Sequence, residues 1–300
     1  MEHSVKFIIS NRFDGLGGRV LNLLVSMSLA EKLSAQLLVT WPDTWDLSAQ
    51  SIHFLFDDPI ANDYPKSPGG TLVGHDFIFK SNEIRRLRLI GNYDSLAASD
   101  LENFDTIAIR NVNLRKVSNF EGYGEAQLRN DIARSFGRLT LAEPINRTVA
   151  DFLRKEPLLN ATGVHVRRGD AANHKQDMHS RRALPLASYF DHLDKCLPER
   201  IFVATDSTEV FQEFANKYGS RIVRLGMQSP ESIGFSRTDQ GDLQHAFSEM
   251  VLLSKCSQII AGPSNFSRLA ALIGGSQLFL LDTGQSGAEW DRIKGNWGVE

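Results

Sequence analysis

The sequence predicts an α/β protein in which parallel sheets are covered by helices. Near its start, a β-branched and aromatic run at residues 5–10 leads through a glycine-rich loop to apolar residues at helical spacing over 19–33 and to a second strand at 36–41. A longer alternation of strand-like and helical segments follows between residues 162 and 281. Because consecutive parallel strands need a long crossover, this alternation favours parallel sheets.

The C-terminal half has the clearer pattern. It predicts strands at 162–166, 200–204, 221–225, 258–261 and 277–281, and helices at 186–196, 208–217, 242–255 and 265–273. We therefore expect a doubly wound domain there, with ligands at the carboxyl ends of its strands.

The N-terminal half is less regular. Weak strands are predicted at 76–79, 87–90 and 106–110, and helices at 125–136 and 141–155, while most of 42–122 has no clear pattern. We divide the chain into domains of residues 1–155 and 156–300.

Composition excludes several classes of protein. The chain is 42% hydrophobic and 23% charged, as in folded globular proteins. Its 33 basic and 36 acidic side chains give a net charge of −3, which argues against nucleic-acid binding. Two cysteines without a Cys-x-x-Cys pair indicate neither a disulfide framework nor a thiolate zinc site, and favour a cytoplasmic protein. No signal peptide or membrane span is expected, so any membrane association would be peripheral.

The segment Gly163-Val-His-Val-Arg-Arg-Gly-Asp170 is the most informative motif. An apolar strand runs directly into Arg167 and Arg168, and residues 167–182 hold five basic and two acidic side chains. Guanidinium groups match phosphate oxygens, and the following glycine allows close backbone approach. The alternative is an arginine that pairs with Asp170 to brace a loop.

Two further strands also end in polar residues. Asp206 follows a predicted buried strand and could bind a ribose, a base edge or Arg167, although Asp206 or Ser207 could simply cap the next helix. Ser264 and Ser267 stand where a strand passes through Gly262 into a helix, whose first N–H groups suit a diphosphate. The alternative is an ordinary N-cap serine.

The glycine segment Asp14-Gly-Leu-Gly-Gly-Arg19 follows the first strand. A dinucleotide-binding fingerprint would need an acidic residue after the second strand, which ends instead in Trp41-Pro42-Asp43. Dinucleotide binding is therefore disfavoured, and no phosphate-binding P-loop sequence supports a nucleoside-triphosphate hydrolase.

Taken in order, these segments resemble the GDP-fucose-dependent fucosyltransferases of the α1,2, α1,6 and protein-O-fucosyl group, which includes bacterial nodulation-factor enzymes. The family's three motifs resemble His165-Val-Arg-Arg-Gly-Asp170, Phe202-Val-Ala-Thr-Asp206 and Ser264-Asn-Phe-Ser267. Glu249-Met-Val-Leu-Leu-Ser-Lys-Cys256 also fits the family pattern. Gly15-Leu-Gly-Gly-Arg19 resembles its opening glycine loop, although the family often has asparagine or glutamine at Gly18 or Arg19.

The resemblance implies a GT-B fold with two Rossmann-like domains facing a cleft, the first on the acceptor side and the second binding the GDP-sugar. It also implies an inverting transfer of fucose from GDP-fucose to a glycan hydroxyl, without a metal or other cofactor. The charge of the leaving diphosphate would then be neutralised by arginines and helix-terminal N–H groups.

The resemblance further implies residue roles. Arg167 would be catalytic, stabilising the β-phosphate as the glycosidic bond breaks, and Asp14 is the candidate base for the acceptor hydroxyl. Phe266 would pack against the guanine. The candidate substrate-binding residues are Gly15, Gly17, Gly18, Arg19, His165, Arg168, Asp170, Asp206, Ser264, Asn265, Phe266 and Ser267.

Two other functions remain open from the sequence. The first is a transferase that uses another GDP-sugar through the same diphosphate site. The second is a non-catalytic protein that binds a nucleotide-sugar or a glycan.

Overall fold

A computed structural model describes residues 5–12, 15–41, 51–57, 70–73, 76–79, 86–91, 94–110, 113–118, 120, 122–168, 184–226 and 240–281. The chain divides into two compact units between Ala142 and Glu143, whereas the sequence pattern predicts a boundary after residue 155. No helix in the described ranges is long and apolar enough to cross a bilayer.

The first unit contains a four-stranded parallel sheet and a separate antiparallel hairpin. The sheet strands are β1 (Phe7–Asn11), β2 (Gln36–Thr40), β5 (Leu87–Ile90) and β6 (Thr106–Ile109), in the order β2-β1-β6-β5, and the hairpin pairs β3 (Gly70–Val73) with β4 (Asp76–Phe79). The helices are α1 (Leu16–Lys32), α2 (Ser51–Leu55), α3 (Ala98–Asn103), α4 (Leu114–Ser118) and α5 (Glu125–Gly137).

Helix α1 begins earlier than predicted. Gly15 is its N-cap, so Gly17, Gly18 and Arg19 lie inside its first turns and are buried, rather than in a loop. Glycine lowers helix stability by about 1 kcal/mol relative to alanine, which is why the sequence pattern suggested a later start. Burial of nearly the whole helix outweighs that cost.

The second unit contains a five-stranded parallel sheet. Its strands are β7 (Thr162–Val166), β8 (Ile201–Thr205), β9 (Ile222–Val223), β10 (Gln258–Ala261) and β11 (Gln277–Leu280), and its helices are α6 (Glu143–Lys155), α7 (Leu186–Cys196), α8 (Thr208–Tyr218), α9 (Gln240–Leu253) and α10 (Asn265–Gly274). Strand β9 is shorter than predicted, because it is an edge strand that pairs only with the start of β8.

The strand order of this sheet is β11-β10-β7-β8-β9, with every neighbouring pair parallel. The chain thus builds outward from β7 in one direction and then returns to β10 on the other side of β7. In such doubly wound sheets, ligands bind where the order reverses, beyond the carboxyl ends of the strands. The predicted α/β fold is confirmed, and the reversal point lies between β7 and β10.

Candidate functional site

The three motifs of the second unit meet at one edge of its sheet. His165 of β7 is paired in register with Ala204 of β8 and with Ala261 of β10. The residues that follow these strands therefore emerge side by side, and we call this part of the unit, formed by residues 167–168, 206–207 and 262–267, the carboxyl edge. The predicted convergence of Arg167, Asp206 and Ser264 follows from this register.

Asp206 ties two strand ends together. Its Oδ1 accepts a hydrogen bond from the backbone N–H of Arg168 at 2.7 Å. Ser207 performs the capping of α8, since its Oγ accepts the N–H of Val210 at 3.2 Å. Asp206 was considered either as a ligand-binding residue or as the cap of the next helix. The structure shows that Ser207 caps this helix.

Arg167 and Arg168 are both partly exposed at the end of β7. Among the described residues, the guanidinium of Arg168 has neither an ion-pair partner nor a hydrogen-bond acceptor. A cation of this kind at a ligand-binding edge is suited to an anion.

His165 is a buried, uncharged support beneath this edge. Burial lowers its pKa to about 3, and the positive charge of Arg167 acts in the same direction. Its ring stacks on that of Phe266, with centroids 4.7 Å apart and 24° between the planes. The stack joins β7 to the first turn of α10.

The start of α10 is held by its own serines. Ser264 is the N-cap, and its Oγ accepts the N–H of Phe266 at 3.2 Å. The Oγ of Ser267 donates to the Ser264 carbonyl at 3.1 Å. The predicted capping role is thus present, and Asn265 opens a helix whose first N–H groups have no intrahelical acceptor.

Tyr189 contacts this edge, and no sequence pattern predicted it. It lies on α7 in the apolar core, is 2% exposed, and its hydroxyl accepts the backbone N–H of Gly262 at 3.2 Å. Burial raises its pKa to about 12, although the Gly262 hydrogen bond and the charge of Arg168 oppose this shift. An aromatic residue at core spacing carries no local signal for such a contact.

Glu249 is a buried carboxyl on α9, only 4% exposed. Burial raises its pKa to about 8; Arg224 opposes this shift and Asp206 adds to it. His245 Nε2 lies 3.8 Å from Glu249 Oε1, and the Arg224 guanidinium stacks over Phe211 at 4.4 Å. In the sequence, Glu249 is recognisable only as part of the segment from Glu249 to Cys256.

The candidate residues of the first unit lie at the start of α1. Arg19 is 1% exposed, and its guanidinium carbon lies 5.5 Å from the centre of the Trp41 ring. Asn22 Nδ2 donates to the Ile109 carbonyl at 2.7 Å and to Ser10 Oγ at 3.1 Å, which fixes α1 against β1 and β6.

Some predicted site residues lie outside the described residues. These are Asp14, Asp170 and the basic segment from 169 to 183. Within the described ranges, no group of three histidine, cysteine, aspartate or glutamate side chains is arranged to hold a metal ion.

A scan of the sequence against protein-family models and a search of curated proteins find no match. Solved structures do match. NodZ α-1,6-fucosyltransferase soaked with GDP-fucose aligns with 90% of this chain and 92% of its own at 16% identity and a TM-score of 0.56. Fucosyltransferase NodZ from Bradyrhizobium aligns with 94% of this chain and 97% of its own at 16% identity and a TM-score of 0.57.

A plant structure has a similar TM-score. A variant of FUT1 from Arabidopsis thaliana, in complex with GDP, aligns with 94% of this chain and 71% of its own at 13% identity and a TM-score of 0.57. The chain therefore has the fold of these fucosyltransferase structures, which is the GT-B type that the sequence predicted.

Proposed function

We propose that this protein is a glycosyltransferase that moves fucose from GDP-fucose to a hydroxyl of a glycan. One observation carries the proposal: two arginines and the amino end of α10 converge where the strand order of the second-unit sheet reverses. Cations and backbone N–H donors both suit a diphosphate, and this edge offers both. The structural similarity to fucosyltransferases supports fucose as the transferred sugar.

In the proposed reaction, the acceptor oxygen attacks the anomeric carbon while the bond from that carbon to the β-phosphate oxygen breaks. The bonding electrons leave with GDP, and the configuration at the anomeric carbon inverts. Arg167 stabilises the negative charge that grows on the diphosphate, a type of contribution that is commonly worth a factor of about 100 or more in rate. Asp206 acts through the backbone of Arg168 and so fixes the turn that carries both arginines.

The proton of the acceptor hydroxyl must pass to a base. We assign this role to Asp14, which precedes α1 in the sequence. We also propose that the acceptor binds to the first unit. Gly15, the N-cap of α1, allows close approach of the acceptor, whereas Gly17 and Gly18 are buried within the helix. Arg19 supports this segment through its stacking on Trp41.

In the second unit, Arg168 and Asp170 shape the diphosphate site, and the N–H groups at the start of α10 hold the phosphates. The hydroxyls of Ser264 and Ser267 brace this first turn. Phe266 is proposed to pack against the guanine from its position on His165.

Arg167→Ala tests the proposed function. We expect a fall in transfer from GDP-fucose of about 100-fold or more, measured as release of GDP in the presence of an active acceptor. Arg200→Ala is the matched control, because Arg200 precedes β8 at the opposite edge of the same sheet and pairs with Glu156 on the surface.

The control variant should keep wild-type turnover. Near-normal turnover by Arg167→Ala would contradict its catalytic role.

A mass-spectrometric screen of a glycan panel finds the acceptor, and comparison of GDP-fucose, GDP-mannose and UDP-glucose as thermal stabilisers identifies the donor. Stronger stabilisation by GDP-mannose would overturn the assignment of fucose.

A further inference from the structure

The hydroxyl of Tyr189 is placed unusually for a core tyrosine. The ring packs in the apolar cluster of the second unit with Val166, Leu193 and Ile260, while the hydroxyl reaches the turn after β10. There it accepts the N–H of Gly262 at 3.2 Å. The carbonyl of the same peptide group, that of Ala261, accepts a hydrogen bond from the N–H of Leu281 at 2.9 Å. Both polar atoms of this peptide group are therefore hydrogen-bonded.

This contact leaves the hydroxyl proton of Tyr189 unused. A phenol hydroxyl can donate one hydrogen bond as well as accept, and no described residue accepts this proton. A buried donor without an acceptor costs stability unless a ligand or a water satisfies it. The high pKa of the phenol means that the proton is present at every physiological pH.

Two groups that act on this hydroxyl in the described part of the chain are donors. One is the Gly262 N–H, and another is the Arg168 cation, whose charge acts on Tyr189 and whose guanidinium has no partner among the described residues. The Tyr189 hydroxyl is thus a neutral donor near the Arg168 cation and the amino end of α10. An anionic oxygen is a suitable acceptor for such a donor.

We propose that the Tyr189 hydroxyl bridges the Gly262 amide and the bound diphosphate, accepting from the first and donating to the second. This inference rests on the proposed function and adds to it a residue from α7. Tyr189 thereby links the core of the unit to the diphosphate, so that the turn from Gly262 to Ser264 is fixed when the ligand binds.

Tyr189→Phe tests the bridge, because it removes the hydroxyl and keeps the ring in the core. Calorimetric titration with GDP and with guanosine gives the decisive comparison. We expect GDP to bind about tenfold or more weakly, the scale of a hydrogen bond to a charged group, and guanosine to bind as it does to the wild type. The KM for GDP-fucose should rise accordingly.

Tyr218→Phe is the matched control. Tyr218 lies in the same apolar cluster, but its hydroxyl bonds to Asp194 Oδ1 at 3.0 Å. Its removal should leave the affinity for both ligands unchanged. If Tyr189→Phe does not fold, 3-fluorotyrosine at position 189 keeps the hydroxyl while making it more acidic, and the bridge then predicts a changed affinity for GDP alone.

The outcomes separate the two proposals. Wild-type protein that fails to bind GDP at millimolar concentration overturns the proposed function and the bridge with it. Wild-type protein that binds GDP, together with an unchanged GDP affinity in Tyr189→Phe or the fluorotyrosine protein, overturns the bridge alone. Equal loss of GDP and guanosine binding would show a structural role and also overturns it.

Discussion

At the scale of single residues, burial disfavours the charged form of one carboxyl, Glu249, and of one imidazole, His165, near the carboxyl edge. Glu249 is held toward its protonated form, and His165 toward its neutral form. The arginines of the edge are partly exposed. A chain with a net charge of −3 can therefore present a locally positive site.

Glu249→Gln should change how stability depends on pH. Burial raises the pKa of Glu249 from 4.5 to about 8, so the folded state holds a proton that the unfolded state releases above pH 4.5. Stability contributed by this proton is complete below pH 4.5 and is lost as pH rises toward 8. Between pH 6 and pH 8, the free energy of unfolding of the wild type should therefore fall by about 2 kcal/mol relative to that of Glu249→Gln, as measured by denaturant unfolding.

Glu156→Gln is the control for this comparison, since Glu156 is partly exposed and pairs with Arg200 on the surface. Its difference from the wild type should not vary in this way with pH. A constant difference for Glu249→Gln across the same range would show that Glu249 is ionised in the folded protein.

At the scale of elements, close packing around two glycines fixes α9 against β7 and the end of α10 against Ser254, the residue after α9. A Cβ added at Gly163 of β7 would lie 2.5 Å from Leu253 Cδ1 of α9. A Cβ at Gly274, the last residue of α10, would lie 1.9 Å from the backbone oxygen of Ser254. The first contact can relax through a side chain, whereas the second requires backbone movement.

Gly274→Ala should therefore lower the free energy of unfolding by about 2 kcal/mol or more. We expect a clear fall in the thermal unfolding midpoint of this variant. The substitution lies at the last residue of α10, whereas the carboxyl edge is at the first turn of that helix. We therefore expect the substitution to affect the free energy of unfolding more than the structure of the carboxyl edge.

Gly137→Ala is the matched control, since Gly137 ends α5 and a Cβ there has no neighbour within 4 Å. That substitution should be neutral or stabilising by up to about 1 kcal/mol. An equal effect of the two substitutions would contradict the close contact between α10 and Ser254.

At the scale of the whole molecule, each of the two units has its own parallel sheet. We propose that charge neutralisation resides entirely in the second unit and uses arginines in place of a metal ion. Turnover should then persist in EDTA at a rate within about twofold of the untreated enzyme, because no Lewis acid takes part. Abolition by EDTA and recovery with added Mg²⁺ or Mn²⁺ would contradict this mechanism.

Much of the second unit could be predicted from local signals. The helix predicted at 186–196 and the strands at 162–166 and 258–261 agree with the structure to the residue, because apolar runs with clear period and bounding polar residues define them. The start of α1 was predicted too late, since local glycine preference opposed a helix that tertiary burial stabilises.

The order of residues alone shows which strands end in arginine, aspartate and serine, and such groups suit a diphosphate. How these groups are supported depends on the folded arrangement of the unit. The reversal of strand order sets the end of β10 beside that of β7, and the fold of α7 brings the Tyr189 hydroxyl to Gly262, 73 positions away in the chain. A contact at that separation depends on packing of the whole unit, so no local pattern of residues encodes it.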